Sequence, residues 1–361
     1  MNTKIASAVR RQLDYVKKLE RSNFKYGLTV GTAFVRGIRD IGYKSTGTAI
    51  DELVDNSWES GASNVHVVLN HDGTGRKNNV TQIAVIDDGC GMVPEMIRVA
   101  MLWGGTDREN SRSGIGRFGY GLPSACVSQG KRFEVYSAVE GGALNMCELD
   151  LEDIEQGKYT TGEGEIVIPK CRPGRLPRFV QDYIRENVAG GEFHKGTVVV
   201  IDKIDKSTWK NLNAMQNALM EHFGVVYHKL RGSFDIFVNS RRVEPIDPLF
   251  LTAGYRWYDL DADRAKALDP LRIEVKNPET KEVIGRINVR YSYMSMRFGS
   301  IDKTKKAQGK NANERFAILR EYNGFIISRM GRVIEVVRHS PLGTFVNNDA
   351  YIKVEVDFDA S

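Results

Sequence analysis

Apolar and polar residues follow two different periods along the chain, and each period predicts one kind of element. Apolar residues at helical spacing predict one helix over residues 3–21 and another over residues 48–61, TAIDELVDNSWESG. Short apolar runs then predict strands at Asn64–Asn70 and Val80–Ile86, with a polar, glycine-containing turn between them. The second strand leads directly into DDGCGM, residues 87–92. The pattern therefore predicts two helices, two strands and an acidic, glycine-bearing turn.

The helix over residues 48–61 has a narrow polar stripe. On a helical wheel, Asp55, Asn56 and Glu59 lie within about 60° of Glu52. The wider opposite side is apolar and consists of Ile50, Leu53, Val54 and Trp58. Such a helix packs on a core and points carboxylates and an amide away from it. A polar stripe is also the ordinary pattern of a surface helix, so the helix alone leaves both interpretations open.

A glycine-rich stretch follows the acidic turn. The pattern predicts a short helix over Pro94–Trp103, a polar stretch over Gly104–Gly121 (GGTDRENSRSGIGRFGYG), and a helix with Pro123 in its first turn. Glycines that lead into a helix N-terminus can cradle phosphate with backbone N–H groups and the helix dipole. They are also typical of a flexible linker. No strand directly precedes them and no GK[ST] follows, which excludes a dinucleotide-binding fingerprint and a Walker A loop.

The rest of the chain is richer in strand patterns than in helix patterns. We predict a hairpin from Lys131–Val139 and Leu144–Leu151, a helix near Arg178–Glu186, and after Gly196 a strand that is buried on both faces. Residues 207–231 include a further helix. Later strands are predicted within FDIFVNSRRVEPIDP, LRIEV, GRINVRYSYM, NGFIISRMGRVIEVV and YIKVEVDF.

Composition narrows the class of protein and argues against several kinds of site. The 361 residues suffice for two or three domains, and 41% hydrophobic with 27% charged residues is an ordinary globular composition. The formal net charge of +5 permits nucleic-acid binding without indicating it. Four widely spaced cysteines and six histidines show no disulfide or metal-ligand pattern. Without a signal peptide or a long apolar run, we predict a soluble intracellular protein, cytoplasmic or nuclear, with no membrane partner.

Four segments in order resemble the motifs of the GHKL ATPase superfamily, which includes gyrase B, heat-shock chaperones, MutL, MORC proteins and histidine kinases. ELVDNSWESG resembles its N-box, DDGCGM its adenine-contact motif, GIGRFGYGLPSA its lid and second glycine box, and HKGTVVVI its closing strand. The similarity covers roughly residues 40–205. It implies an α+β fold, with a Bergerat-type two-layer sandwich over residues 1–230 and a transducer-like domain over residues 231–361.

The resemblance also implies roles for individual residues. Glu52 would be the general base for the attacking water, and Asn56 would bind Mg²⁺. Asp87 would accept a hydrogen bond from the adenine amino group, with Thr197 supporting the contact through a water. The other residues expected to contact ATP are Gly89, Gly91, Met92, Gly116, Phe118, Gly119, Tyr120, Gly121 and Leu122. The i, i+4 spacing of Glu52 and Asn56 agrees with this, because both side chains then point to one site, and Mg²⁺ takes oxygen ligands.

The second half resembles the transducer domain of the gyrase, MutL and MORC branch, which histidine kinases lack. In that branch the transducer supplies a lysine to the γ-phosphate. The basic segment DKTKKAQGK, residues 302–310, offers lysines, although such a charge run is more typical of a solvated loop. In MORC-like relatives the lysine follows a strand similar to VEVDFDAS, where this sequence stops. We therefore expect this chain to be the N-terminal part of a longer protein, with the lysine located beyond residue 361.

The predicted function is Mg²⁺-dependent binding and slow hydrolysis of ATP, coupled to lid closure and to homodimerisation through the N-terminal region. Such conformational steps often limit turnover. The alternative is a module that ATP closes on DNA or a protein partner with negligible hydrolysis. The presence of Glu52 favours the ATPase, and the missing lysine favours the module. A histidine kinase is disfavoured, because the helix over residues 3–21 has no phosphoacceptor histidine.

Overall fold

The computed structural model describes residues 31–73, 78–104, 119–161, 166–341 and 343–359. The helix predicted over residues 3–21 lies outside this part of the chain. The described residues divide into two compact units, the first within residues 31–54, 68–104 and 119–210 and the second within residues 55–67 and 211–359. The domain boundary predicted near residue 230 stays a prediction.

Helices and strands are interspersed along the described residues. The helices are α1 Gly31–Ile41, α2 Thr46–Glu59, α3 Pro94–Ala100, α4 Gly121–Gln129, α5 Leu151–Glu155, α6 Arg178–Asn187, α7 Leu212–Val226 and α8 Phe316–Glu321. The strands are β1 Asn64–His71, β2 Val80–Asp87, β3 Gly130–Ala138, β4 Asn145–Asp150, β5 Arg172–Pro173, β6 Gly196–Ile204, β7 Asp235–Val238, β8 Arg241–Arg242, β9 Lys266–Lys276, β10 Val283–Tyr293, β11 Phe325–Arg329, β12 Arg332–Val337, β13 His339–Ser340, β14 Gly343–Thr344 and β15 Ile352–Phe358.

The sheet of the first unit has the strand order β5-β4-β3-β6-β2, followed by the second half of β1. Strand β6 pairs antiparallel with β3 on one side and β2 on the other. Its residues Val198–Ile201 are all buried, which confirms the predicted strand with two covered faces. In this register Thr197 stands opposite both Asp87 and Ser137. The pairing therefore brings three polar side chains to one end of the sheet.

The core of the first unit lies between this sheet and α6. Apolar residues of β2, β3 and β6 pack there with Val180 and Ile184 of α6. These two helix residues are four apart, so both lie on the face that meets the sheet. The predicted helix near Arg178–Glu186 and the hairpin of β3 and β4 are both confirmed.

Local sequence sets the two ends of α2. Ser45 and Thr48 cap its start reciprocally, because the Thr48 N–H donates to the Ser45 Oγ (3.2 Å) and the Ser45 N–H donates to the Thr48 Oγ1 (3.0 Å). At the other end, Gly61 has a φ of +77° and its N–H bonds to the carbonyl of Trp58 at 3.0 Å. A glycine in this left-handed conformation is the common helix stop.

The second unit contains a separate sheet with the strand order β12-β11-β15-β10-β9. Here the first half of β1 pairs parallel with β7, which turns at Asn239 into the short β8. The core of this unit is apolar and aromatic and includes Phe250, Trp257, Met294, Phe298 and Ile326. A mixed sheet in one part and a further α/β part with its own sheet confirm the predicted α+β class.

One predicted element is too long. The helix expected over Pro94–Trp103 ends at Ala100, because the Met101 N–H is shared between the carbonyls of Ile97 and Arg98. Shared bonds of this kind are common where a helix tightens in its last turn. Met101 is nevertheless buried, so an apolar side chain at helical spacing follows the end of the helix. This spacing made the predicted helix too long.

Candidate functional site

Glu52 is carried by α2, the helix whose polar stripe the sequence singled out. Ile50, Leu53 and Val54 are buried and hold the helix on the core, while Glu52 is partly exposed. Asn56 lies one turn further along and is exposed. The apolar side of the wheel thus fixes the helix, and the opposite side presents the carboxylate and the amide, as predicted.

Asp55 corrects the prediction for the rest of the stripe. Its side chain is buried, and its carboxylate accepts a hydrogen bond from the Tyr227 hydroxyl at 2.8 Å. The Arg332 guanidinium also pairs with it, at 2.9 Å between Nη2 and Oδ2. Asp55 is therefore a structural carboxylate. Both of its partners are far along the chain, so a helical wheel could not reveal them.

Gly121, the first residue of α4, approaches Glu52 very closely. A Cβ atom placed on Gly121 would lie 2.3 Å from Oε2 of Glu52, so a larger residue at this position would displace the carboxylate. The glycine therefore lets the N-terminus of α4 reach the carboxylate. Exposed N–H groups at such a terminus attract anions.

Tyr43 also lies beside Glu52, and the sequence analysis did not identify it. Its hydroxyl donates to the carbonyl oxygen of Gly121 at 3.4 Å. Burial raises the pKa of the Tyr43 phenol, and the charge of Glu52 and a hydrogen bond to that carboxylate raise it further. Tyr43 therefore stays protonated and can donate to the groups around it. Only its position ahead of the N-box could have drawn attention to it.

Asp87 sits at the end of β2 and is held by backbone groups. Its Oδ1 accepts hydrogen bonds from the N–H of Gly89 at 2.9 Å and from the N–H of Thr197 at 3.1 Å. Two donors on a buried carboxylate favour its charged form and fix its direction. Asp87, Gly89 and Thr197 are thus brought together, and their contacts to adenine stay a prediction.

Ser137 ties the same group together, although no motif contains it. Its hydroxyl donates to the carbonyl of Gly196 at 2.8 Å and accepts from the N–H of Met92, also at 2.8 Å. Its oxygen lies 3.0 Å from Oγ1 of Thr197. This buried serine therefore connects the acidic turn to β6, and the sequence offered no signal for it beyond its place in a predicted strand.

Gly91 has a structural requirement for glycine. Its φ is +70°, and a Cβ atom there would lie 2.0 Å from the carbonyl oxygen of Ala138. The resemblance implied that Gly91 contacts ATP, whereas the packing of the turn against β3 by itself requires glycine here. The fold of the turn therefore requires this glycine whether or not a ligand is bound.

The remaining predicted residues surround the start of α4. Gly119 has a φ of +65° and accepts a hydrogen bond from the N–H of Gly104 at 3.1 Å. Tyr120 is exposed, and Leu122 is buried in the first turn of the helix. Gly116 and Phe118 lie outside the described residues.

The side chains at this site fit a nucleotide with bound Mg²⁺ if the protein supplies only one or two of the oxygen ligands of the metal. Among the described residues, no group of three or more histidine, cysteine, aspartate or glutamate side chains is arranged to hold a metal ion. Mg²⁺ in phosphate sites commonly takes one or two protein oxygens, with the phosphates and waters supplying the rest. The exposed amide of Asn56, one turn from Glu52, can supply one such oxygen.

Comparison with known proteins agrees with this geometry. Residues 43–168 match the model of the family described as histidine kinase-, DNA gyrase B- and HSP90-like ATPase. The chain carries a GHKL-type ATPase domain. Over these residues, the match confirms the superfamily predicted from the motifs. The matched part of the ATPase domain contains Glu52, Asp87 and Gly121, and Thr197 lies beyond it.

Other comparisons are more distant. The crystal structure of the N-terminal domain of a DNA repair protein is similar over 90% of this chain and 86% of that chain, with 15% sequence identity and a TM-score of 0.49. No curated protein matches the sequence. Within the described residues, no helix is both long and apolar enough to cross a membrane.

Proposed function

We propose that this chain binds Mg²⁺-ATP and hydrolyses it slowly, with Glu52 as the general base. The observation that carries the proposal is the approach of Gly121 to Glu52, where a Cβ atom would come within 2.3 Å of the carboxylate. A carboxylate beside a helix N-terminus suits a water that attacks a phosphoryl group, because the base and the anion-binding N–H groups are adjacent.

Each end of the nucleotide has its own set of residues. Asp87, oriented by the N–H groups of Gly89 and Thr197, accepts the adenine amino group. Gly119, Tyr120 and Leu122 are placed around the start of α4, where backbone N–H groups bind phosphate oxygens. Asn56 holds Mg²⁺, which when bound neutralises charge on the phosphates. Glu52 takes the proton of the attacking water.

The proposal extends to lid closure by the glycine-rich stretch and to homodimerisation on ATP binding. The family match supports ATP binding, and the site geometry supports a base beside the phosphates.

Hydrolysis of Mg²⁺-ATP by the wild type and by Glu52→Ala, with ATP binding measured on both, tests this function. We expect the variant to bind ATP and to turn it over about 100-fold more slowly or worse, because a positioned base contributes a factor of that order. Removal of Mg²⁺ with EDTA should abolish turnover of the wild type. If both proteins bind ATP and neither hydrolyses it, the chain is a nucleotide-gated module. If both hydrolyse equally, Glu52 is not the base.

A further inference from the structure

Strand β9 forms one edge of the sheet in the second unit, and its outer side has no neighbouring strand among the described residues. It is 11 residues long, and nearly every residue is exposed. Large apolar side chains are among them: Leu268 is 54% exposed, Leu271 49% and Ile273 42%. A long edge strand with exposed apolar residues is a template for pairing with another strand.

The register with β10 divides the side chains of β9 into two faces. Leu271 and Ile273 stand opposite Val289 and Ile287, so these four share one apolar face. Arg272 and Glu274 point to the other face, because successive side chains of a strand alternate. One face of this edge is therefore apolar. The other carries Arg272 and Glu274 two residues apart, with Lys276 beside Glu274 at 3.8 Å between Nζ and Oε2.

The outer half of the hairpin extends beyond the neighbouring strand. Strand β15 pairs with β10 only over Ile287–Tyr293, and Ile287 is the β10 residue opposite Ile273. Residues of β9 after Ile273 therefore belong to a two-stranded ribbon. Such a ribbon is only marginally stable alone, and additional strands stabilise it.

We propose that β9 pairs antiparallel with β9 of a second copy of this chain, about a two-fold axis at Ile273. In this register Arg272 faces Glu274 of the second copy, and Leu271 faces Val275. The axis repeats both pairs, so the interface holds two opposite-charge pairs on one face and a continuous apolar patch on the other. The surface is self-complementary, as a two-fold interface must be.

The charges of the strand select this register. An axis at Arg272 or at Glu274 would place that residue opposite its own copy, and like charges directly opposite are destabilising. Pro270 has no N–H to donate, so the paired segment ends beside it. The five residues 271–275 make a small interface. We therefore expect a dissociation constant on the order of 1 μM to 1 mM. The inference does not depend on the proposed function, and the pairing needs no nucleotide.

Sedimentation equilibrium without nucleotide, over a series of concentrations, tests the proposal with charge exchanges. Arg272→Glu places two carboxylates together at each pair, and Glu274→Arg places two guanidinium groups together. Each variant alone should dimerise about tenfold more weakly or worse than the wild type. An equimolar mixture of the two should recover a heterodimer, because each glutamate then faces an arginine of the other copy. The double variant, which exchanges both residues, should recover the homodimer.

Leu268→Ser is the matched control. It removes a more exposed leucine from the same strand but outside residues 271–275, so it should leave dimerisation unchanged. Far-ultraviolet circular dichroism checks that every variant is folded. A wild type that stays monomeric at all concentrations overturns the proposal, and so does a mixture that stays monomeric. A loss with Leu268→Ser equal to that of the charge exchanges would also overturn it, since the register would then be wrong.

Discussion

Single residues decide the shape of the candidate site through close contacts that a larger side chain would disturb. Gly121 touches the Glu52 carboxylate, and Gly91 touches the carbonyl of Ala138. The glycine pattern could be seen in the sequence, and so could the acidic residues on strand ends and helix stripe. Tyr43 and Ser137 could not be found, because a lone tyrosine or serine acquires a role only from neighbours that the fold brings to it.

Tyr43→Phe removes a hydroxyl beside Glu52 and leaves the ring in place. We expect turnover of ATP to fall by a factor of about 5 to 10 while ATP affinity stays the same, since a typical hydrogen bond contributes about 1 kcal/mol. Tyr43 would then be a positioning residue that orients the carboxylate. Steady-state turnover and equilibrium binding, measured on the same preparations, separate the two effects.

Tyr136→Phe is the control for this substitution. The Tyr136 hydroxyl donates to Glu134 at 2.8 Å and so lies in a different hydrogen-bond network. Its loss should leave turnover per folded molecule unchanged. The positioning role of Tyr43 is wrong if its variant loses affinity and turnover in equal measure, or if neither changes.

At the scale of elements, the spacing of apolar residues predicted the helices and strands well. It did not predict which residues the polar side chains contact. The hairpin of β3 and β4, the buried β6 and the helix α2 follow from local patterns. The burial of Asp55 does not, because Arg332 lies 277 residues further along the chain. A helical wheel reports which residues share a side and cannot report what that side meets.

The pair of Asp55 and Arg332 predicts a large effect on stability. Their side chains are 7% and 10% exposed, and the guanidinium approaches the carboxylate at 2.9 Å. Arg332→Met keeps most of the volume and leaves the Asp55 charge buried without this partner, so unfolding by urea should require about 3 kcal/mol less free energy. The double variant Asp55→Leu with Arg332→Met should recover part of the loss.

Arg338→Met serves as the reference for this measurement. The Arg338 guanidinium donates to the backbone carbonyls of Arg320 and Glu321, at 3.2 Å and 3.4 Å, in exposed contacts. Its loss should change the free energy of unfolding by less than about 0.5 kcal/mol. Equal effects of the two arginine substitutions would show that the pair with Asp55 contributes nothing specific.

At the scale of the whole molecule, the chain combines an ATPase domain with a second compact unit that has its own sheet and core. The order of four motifs was enough to predict the superfamily, because each motif occupies a fixed place in one fold. The residues at 105–118 contain two of the predicted phosphate contacts and lie outside the described part. The described part of the site comprises Glu52 and the residues at its adenine end.

The role of Asp87 in ATP binding is the claim to test first. The measurement is the affinity for ATP of the wild type, Asp87→Asn and Asp88→Asn, each as the whole chain. Asparagine at 87 can still accept the N–H groups of Gly89 and Thr197 through its carbonyl oxygen, but it loses the charge that receives the adenine amino group. We predict that the wild type and Asp88→Asn bind ATP alike and that Asp87→Asn binds about tenfold more weakly or worse. Equal affinities of the two variants, or no binding by the wild type, would contradict the assignment of this site.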